Sequence, residues 1–213
     1  MIPVKDSFSI VVLGAWNPLI FSPEWILKNI THTDESKITL AYAVDDPEAP
    51  RKLSFDGINL LPSKKSLQII PDTPHVDPLI AGSEFLVRIL DLLEHTPIFA
   101  TGINFAFTEN TTIEQINNAL NASDSGSILD NYQIKGTSLQ RKLQRDNDEH
   151  VLNFSLSENE KSHTLNFNFH YETPSAQDCR NIFEGNMINN HHTEAVTFCK
   201  DIYGIEEYNC EVA

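Results

Sequence analysis

Two segments of this chain recur in its second half, and this recurrence constrains the fold more than any single motif. Leu67–Pro74 reads LQIIPDTP and Leu165–Pro174 reads LNFNFHYETP, and sequence typical of a helix follows both. A fainter correspondence joins Val11–Asn17 to Phe99–Phe105. Internal repetition of this kind predicts the architecture of the protein but does not predict its chemical activity.

The pattern of apolar residues predicts the same order of elements in each half, β-α-β-β-β-α. In the first half we predict strands over 7–16, 38–42, 51–61 and 66–70, with helices opening at Ser22-Pro23 and Asp77-Pro78. In the second half we predict strands over 98–108, 136–145, 151–156 and 164–171. A capping box at Thr111–Glu114 opens a short helix there, and Gly185-Asn186 interrupts the last helical region. The predicted fold class is α+β, with two repeats, 1–97 and 98–213, sharing one continuous antiparallel sheet and with helices packed on one face.

This element order is similar to the duplicated fold of the TATA-box-binding family. The resemblance implies architecture only, because the aromatic wedges and basic concave face with which that family holds DNA have no counterpart in this sequence. The Gly-Ala-Trp-Asn-Pro strand end at Gly14–Pro18, with Thr96–Phe105, resembles small uncharacterised bacterial proteins. That resemblance implies a bacterial or phage origin and no activity.

Charge excludes some classes of function. Thirty acidic against fifteen basic residues give a formal net charge of −15. Binding to a nucleic-acid backbone needs clustered Lys and Arg, so direct nucleic-acid binding is disfavoured. The basic residues Lys135, Arg141, Lys142 and Arg145 fall on a predicted strand, where they are typical of an exposed edge. No apolar run approaches a membrane span, and the N-terminus lacks a secretory signal pattern, so we expect a cytoplasmic protein.

Histidine and cysteine concentrate late in the chain, which makes a metal site worth considering. The candidate ligands are His191, His192 and Cys199, with Glu194 within reach of His191 on a helix. Structural zinc sites usually bring ligands in tight pairs, and no Cys-x-x-Cys or His-x-x-x-His occurs here. The alternative is that Cys199 is a small core residue and the histidines are solvated.

Two tryptophans, Trp16 and Trp25, flank the first strand-to-helix connection. Such residues most often pack a helix against a sheet, and less often line a contact patch. The acids Asp45, Asp46 and Glu48 lie in a proline-rich turn without the ligand spacing of a calcium loop.

No Gly-x-Ser-x-Gly, Walker or dinucleotide motif is present, so no catalytic constellation or cofactor is predicted. The leading hypothesis is a non-catalytic, acidic interaction module that binds a protein partner or a second copy of itself. An antitoxin, an immunity protein or an accessory subunit of an antiviral defence system would fit, with a basic or nucleic-acid-associated partner. A third hypothesis is a protein that imitates the charge of nucleic acid and occupies a DNA-binding protein. It differs from the leading hypothesis only in the partner that is bound. The alternative is a metal-binding or ligand-binding domain, or an enzyme, that uses the late His/Cys group.

Overall fold

A computed structural model describes residues 1–31, 37–41, 51–121, 133–146, 148–159 and 162–205. Within these ranges the chain forms ten strands and five helices. The strands are β1 (Ile2–Pro3), β2 (Ser9–Gly14), β3 (Thr39–Ala41), β4 (Lys52–Phe55), β5 (Ile58–Pro62), β6 (Ser66–Pro71), β7 (Ile98–Glu109), β8 (Ser138–Leu143), β9 (His150–Asn159) and β10 (Ser162–Glu172). The helices are α1 (Pro23–Asn29), α2 (Val76–Leu92), α3 (Glu114–Leu120), α4 (Ala176–Ile182) and α5 (Met187–Tyr203).

All ten strands join one antiparallel sheet, which confirms the predicted α+β class and the continuous sheet. Nine strands run in the order β3-β4-β5-β6-β2-β7-β10-β9-β8, and β1 pairs with β7 beside β2. The central contact is the antiparallel pair β2–β7, from Ser9↔Asn104 to Gly14↔Ile98. Strands from the two halves of the sequence therefore meet in the middle of the sheet.

The core lies between one face of this sheet and the helices. Alternate residues of the central strands, such as Ile10, Ile103 and Phe167, are at most 1% exposed. The helices contact this face: a Cβ added at Gly82 of α2 would meet Ile69 and Ile58, and Phe198 of α5 packs on Phe154 and Phe167. No described helix lies on the opposite face, which we call the open face.

The first half contains two strands more than predicted, the short β1 and a second strand within 51–61, because that segment is a hairpin. β4 and β5 pair around Asp56-Gly57, whose φ values are +47° and +75°. Positive φ at both central positions is the geometry of a tight hairpin turn, and Asp-Gly favours it. The described order is β-β-α-β-β-β-β-α in the first half and β-α-β-β-β-α-α in the second, so the predicted first-half order is wrong by two strands.

Helix starts show where local signals hold and where they fail. Ser22 caps α1 as predicted, since its Oγ accepts a hydrogen bond from Trp25 N. The predicted capping box at Thr111–Glu114 is wrong: α3 begins at Glu114 with no side-chain cap, and the Thr111 hydroxyl donates to Glu109 Oε1 at 2.7 Å instead. The break predicted at Gly185-Asn186 separates α4 from α5.

The described sheet ends in strands that are poorly suited to further pairing. β3 has three residues, all exposed, and β8 presents exposed Arg141 and Lys142 as the sequence predicted. Among the described helices none is both long and apolar enough to cross a membrane.

Two phenylalanines of β7 test the position of the core. Phe105 is 1% exposed and contacts Phe8, Phe169 and His192, whereas Phe99 is 63% exposed. We expect Phe105→Ala to lower the free energy of unfolding by about 3–5 kcal/mol, measured by denaturant titration. Phe99→Ala is the matched control and should change it by less than about 0.5 kcal/mol. Equal losses in the two variants would contradict the placement of the core.

Candidate functional site

His191 lies on the inner face of α5, among the residues that pack on the sheet. The buried positions Ile188, His191, Ala195 and Cys199 recur at helical spacing. The His191 imidazole is stacked on Phe169 of β10, with ring centroids 4.0 Å apart and planes inclined by 14°. Its side chain is 3% exposed. Both packing and burial therefore fix the orientation of this ring.

The two nitrogens of His191 have different surroundings. Nε2 shares a 2.5 Å hydrogen bond with the hydroxyl of Tyr171. Nδ1 is buried without a hydrogen-bond partner, and the nearest carboxylate oxygen is Glu194 Oε2 at 3.6 Å. That separation exceeds a normal hydrogen bond. One nitrogen is thus held and the other is left unsatisfied inside the protein.

His150 completes the group from a different element. It is the first residue of β9 and pairs in register with Tyr171 of β10. Its ring meets His191 edge-on, with centroids 4.6 Å apart and planes at 68°. One ligand atom each from His150, His191 and Glu194 lies within 4.8 Å of the other two. We call these three residues the His/Glu cluster.

Burial sets the protonation of this region. Burial, with a smaller effect of neighbouring His150, lowers the pKa of His191 to about 3. The imidazole is therefore neutral at pH 7. Burial and then the carboxylates of Asp148, Glu149 and Glu194 raise the pKa of the Tyr171 phenol well above its usual value, so this hydroxyl keeps its proton. The cluster thus combines the neutral imidazole of His191 with a second imidazole and one carboxyl group.

Glu194 links the cluster to solvent and to a basic residue. Its Oε1 lies 2.8 Å from Arg145 Nη2, while its other oxygen faces His191, and its side chain is 18% exposed. A cavity of about 220 Å³ adjoins it, lined by Arg145, Asp148, His150, Leu152, Glu194 and Phe198. A small molecule or ion can reach the carboxylate and His150 through this cavity.

The structure brings only one of the three predicted metal ligands into the cluster. His192, next to His191, packs instead against the rings of Phe8, Phe105 and Phe107. Cys199 is fully buried, in agreement with the alternative prediction that it is a small core residue. Neither belongs to the ligand group formed among the described residues. The sequence anticipated that Glu194 comes near His191, but it gave no signal for His150, which only the β9–β10 pairing places there.

The two tryptophans serve packing in this structure. Trp16 is 5% exposed, and its Nε1 donates to the carbonyl of Val12 at 3.1 Å. Phe21 lies between it and Trp25, with centroid distances of 6.3 Å to Trp16 and 5.5 Å to Trp25. Trp25 is half-buried. Of the predicted pair, only Trp25 presents surface to a partner. The predicted turn acids Asp45, Asp46 and Glu48 lie outside the described residues, as does Cys210.

The open face is polar along β9 and β10, and a chain of amides crosses its centre. Asn153 Nδ2 donates to Asn168 Oδ1 at 2.9 Å, and Asn168 Nδ2 donates to Asn104 Oδ1 at 2.7 Å. Asn104 Nδ2 then donates to Ser9 Oγ at 3.1 Å. The chain crosses β9, β10, β7 and β2, and all three donors point the same way. Hydrogen bonds aligned in this manner polarise one another.

Charge is divided unevenly between the two layers. The five helices carry eight carboxylates and four basic side chains. Alternation along the strands places few ionisable groups on the open face. Those on the described strands are Lys52, Lys142, His170 and Glu172. Among the described residues, the helices therefore carry more of the acidic charge than the strand positions of the open face do.

Because they are buried, the thiols of Cys179 and Cys199 are expected to be unreactive in the folded protein. Burial raises the pKa of Cys199 to about 12 and that of Cys179 to about 11, the latter against a hydrogen bond from Thr101. Because thiolate is the reactive form, we expect neither residue to react with a disulfide reagent at pH 8 in the folded protein. A Cys210→Ser variant isolates these two thiols, and both should react after denaturation. Labelling of either at the rate of a free thiol in the native state would contradict their placement.

The chain matches no protein-family model, and no curated protein matches it. Its function is therefore inferred from geometry and chemistry alone.

Proposed function

We propose that this chain is a non-catalytic interaction module that binds a protein partner of net positive charge through the open face of its sheet. The observation that carries the proposal is the open face itself, a sheet surface nine strands wide against which no described helix packs. The function is that of an accessory, antitoxin or immunity subunit, in a bacterial cytoplasm.

The size of the open face suits one protein partner. Nine strands at a spacing of about 4.8 Å span about 38 Å. A strand of usual length covers about 17–20 Å in the other direction. The resulting area of about 700 Å² is close to the roughly 800 Å² that each partner contributes to an interface of standard size.

The chemistry of the open face favours hydrogen bonding over charge pairing. In the amide chain, Asn168 uses one hydrogen and one oxygen lone pair, which leaves one of each for a partner. Asn153 and Gln140 are exposed beside it on β9 and β8. Such groups pair with backbone or side-chain amides without the desolvation cost of burying a charge.

The net charge of −15 supports the choice of a basic partner. Opposite net charges raise association rates over long distances, even where the contact surface itself is neutral. Acidic residues on the helical layer thus act on the rate of encounter, while the open face determines the affinity.

We further propose that the two halves are copies of one unit. From the central pair outward, the order is β2-β6-β5-β4-β3 on one side and β7-β10-β9-β8 on the other. Thr73 and Thr173 each follow the strand that lies next to the centre. Within the described residues the halves differ in two ways: the first has two additional strands, and the second ends in two helices where the first ends in one.

The experiment begins with the tagged full chain, purified at low salt from its source cells, and a stoichiometric partner identified by mass spectrometry. The two proteins are then purified separately and their binding is measured. We expect Gln140→Arg with Asn153→Arg to weaken binding at least about tenfold, because the substitutions add two positive charges and block the face. Ala81→Arg with Gln177→Arg makes the same charge change on exposed positions of α2 and α4.

The control should slow association but leave the dissociation rate unchanged. A protein that purifies as a monomer with no stoichiometric partner would overturn the proposal. The proposal would also be overturned if the control double variant lost binding while the open-face variant retained it.

A further inference from the structure

We propose that His150, His191 and Glu194 form a binding site for one divalent transition-metal ion of the zinc class. Two imidazoles and one carboxylate are a donor set that zinc and its neighbours accept, and that magnesium and calcium, which prefer oxygen ligands, do not. The inference is independent of the proposed partner binding.

The spacing of the donors fits a shared ion. His191 Nδ1 and Glu194 Oε2 are 3.6 Å apart, which is too long for a hydrogen bond. Two ligands at about 2.1 Å from a tetrahedral zinc ion stand about 3.4 Å apart. The third donor, from His150, is within 4.8 Å of the other two.

An unsatisfied atom points to the same place. His191 Nδ1 has no hydrogen-bond partner within the protein, and the side chain is only 3% exposed, so solvent does not replace that partner. Leaving such a group unpaired destabilises the fold, because nothing compensates for the water that the nitrogen has lost. A metal ion bound to Nδ1 removes this cost and explains why the ring turns that nitrogen toward a carboxylate.

Neighbouring groups hold the ligands in the way that metal sites require. Nε2 of His191 is hydrogen-bonded to the Tyr171 hydroxyl, so Nε2–H can donate there while Nδ1 binds the ion. Arg145 holds the other oxygen of Glu194 at 2.8 Å. His191 and Glu194 are three residues apart on one helix, and His150 begins a paired strand, so all three ligands stand on rigid elements.

Three protein ligands leave a fourth position for water or for a ligand group. The cavity of about 220 Å³ lies against His150 and Glu194 and gives access to it. The site is thus of the open kind, in contrast to a closed four-ligand structural site.

The test is zinc binding by the full chain after treatment with a chelator, measured by competition with a chromophoric chelator and by isothermal titration calorimetry. We expect one zinc per chain, no competition from excess Mg²⁺, and a tetrahedral absorption spectrum with Co²⁺. His150→Ala and His191→Ala should each weaken zinc binding by at least about a hundredfold. Glu194→Gln keeps the shape of the side chain and should weaken zinc binding at least about tenfold. This variant tests the site even if a histidine variant fails to fold.

His192→Gln and Cys199→Ala are matched controls from the same helix, and both should keep the affinity of the unchanged protein. The proposal is overturned if the unchanged chain binds no stoichiometric zinc, or if Glu194→Gln and His150→Ala, shown to be folded by circular dichroism, bind it normally. Loss of binding in the His192 or Cys199 variant with retention in His150→Ala would likewise overturn it, in favour of a different ligand set.

Discussion

The central pairing of β2 with β7 is the constraint on which the rest of the structure depends. It places Ile10 opposite Ile103, and both side chains are fully buried on the helical side. Because strand side chains alternate, a slip of one residue would move this apolar set to the open face and bring Asn104 into the core. The same register aligns Asn104 with Ser9, so the amide chain and the core are set by one pairing.

Local sequence patterns predicted much of the fold. The strands predicted over 151–156 and 164–171 form β9 and β10, and the predicted capping serine marks the start of α1. One strand is predicted over 51–61, but the segment folds into the β4–β5 hairpin, because the Asp56-Gly57 dipeptide within it favours a tight turn. The predicted capping box at Thr111 does not form, because the hydroxyl that would cap the helix donates to the neighbouring carboxylate of Glu109.

The candidate site was less accessible to sequence reasoning, because its parts come from separate elements. Helical spacing relates His191 to Glu194, but it also relates His192 to Cys199, and nothing in the sequence says which face of α5 meets β10. The stacking of His191 on Phe169 answers that question in the structure. His150 reaches the cluster only through the register of β9 on β10, a contact that no local pattern encodes. The amide chain likewise depends on four strands that are distant in sequence.

The two outer strands of the described sheet have a consequence for how copies of this protein can meet. A short exposed strand at one margin and adjacent cations at the other both discourage a further strand from adding edge to edge. The sheet therefore resists growth into a fibril-like ribbon even when the protein is concentrated. Association in the plane of the sheet is therefore disfavoured at both of its described edges. Contacts between copies are expected to use the faces of the molecule instead.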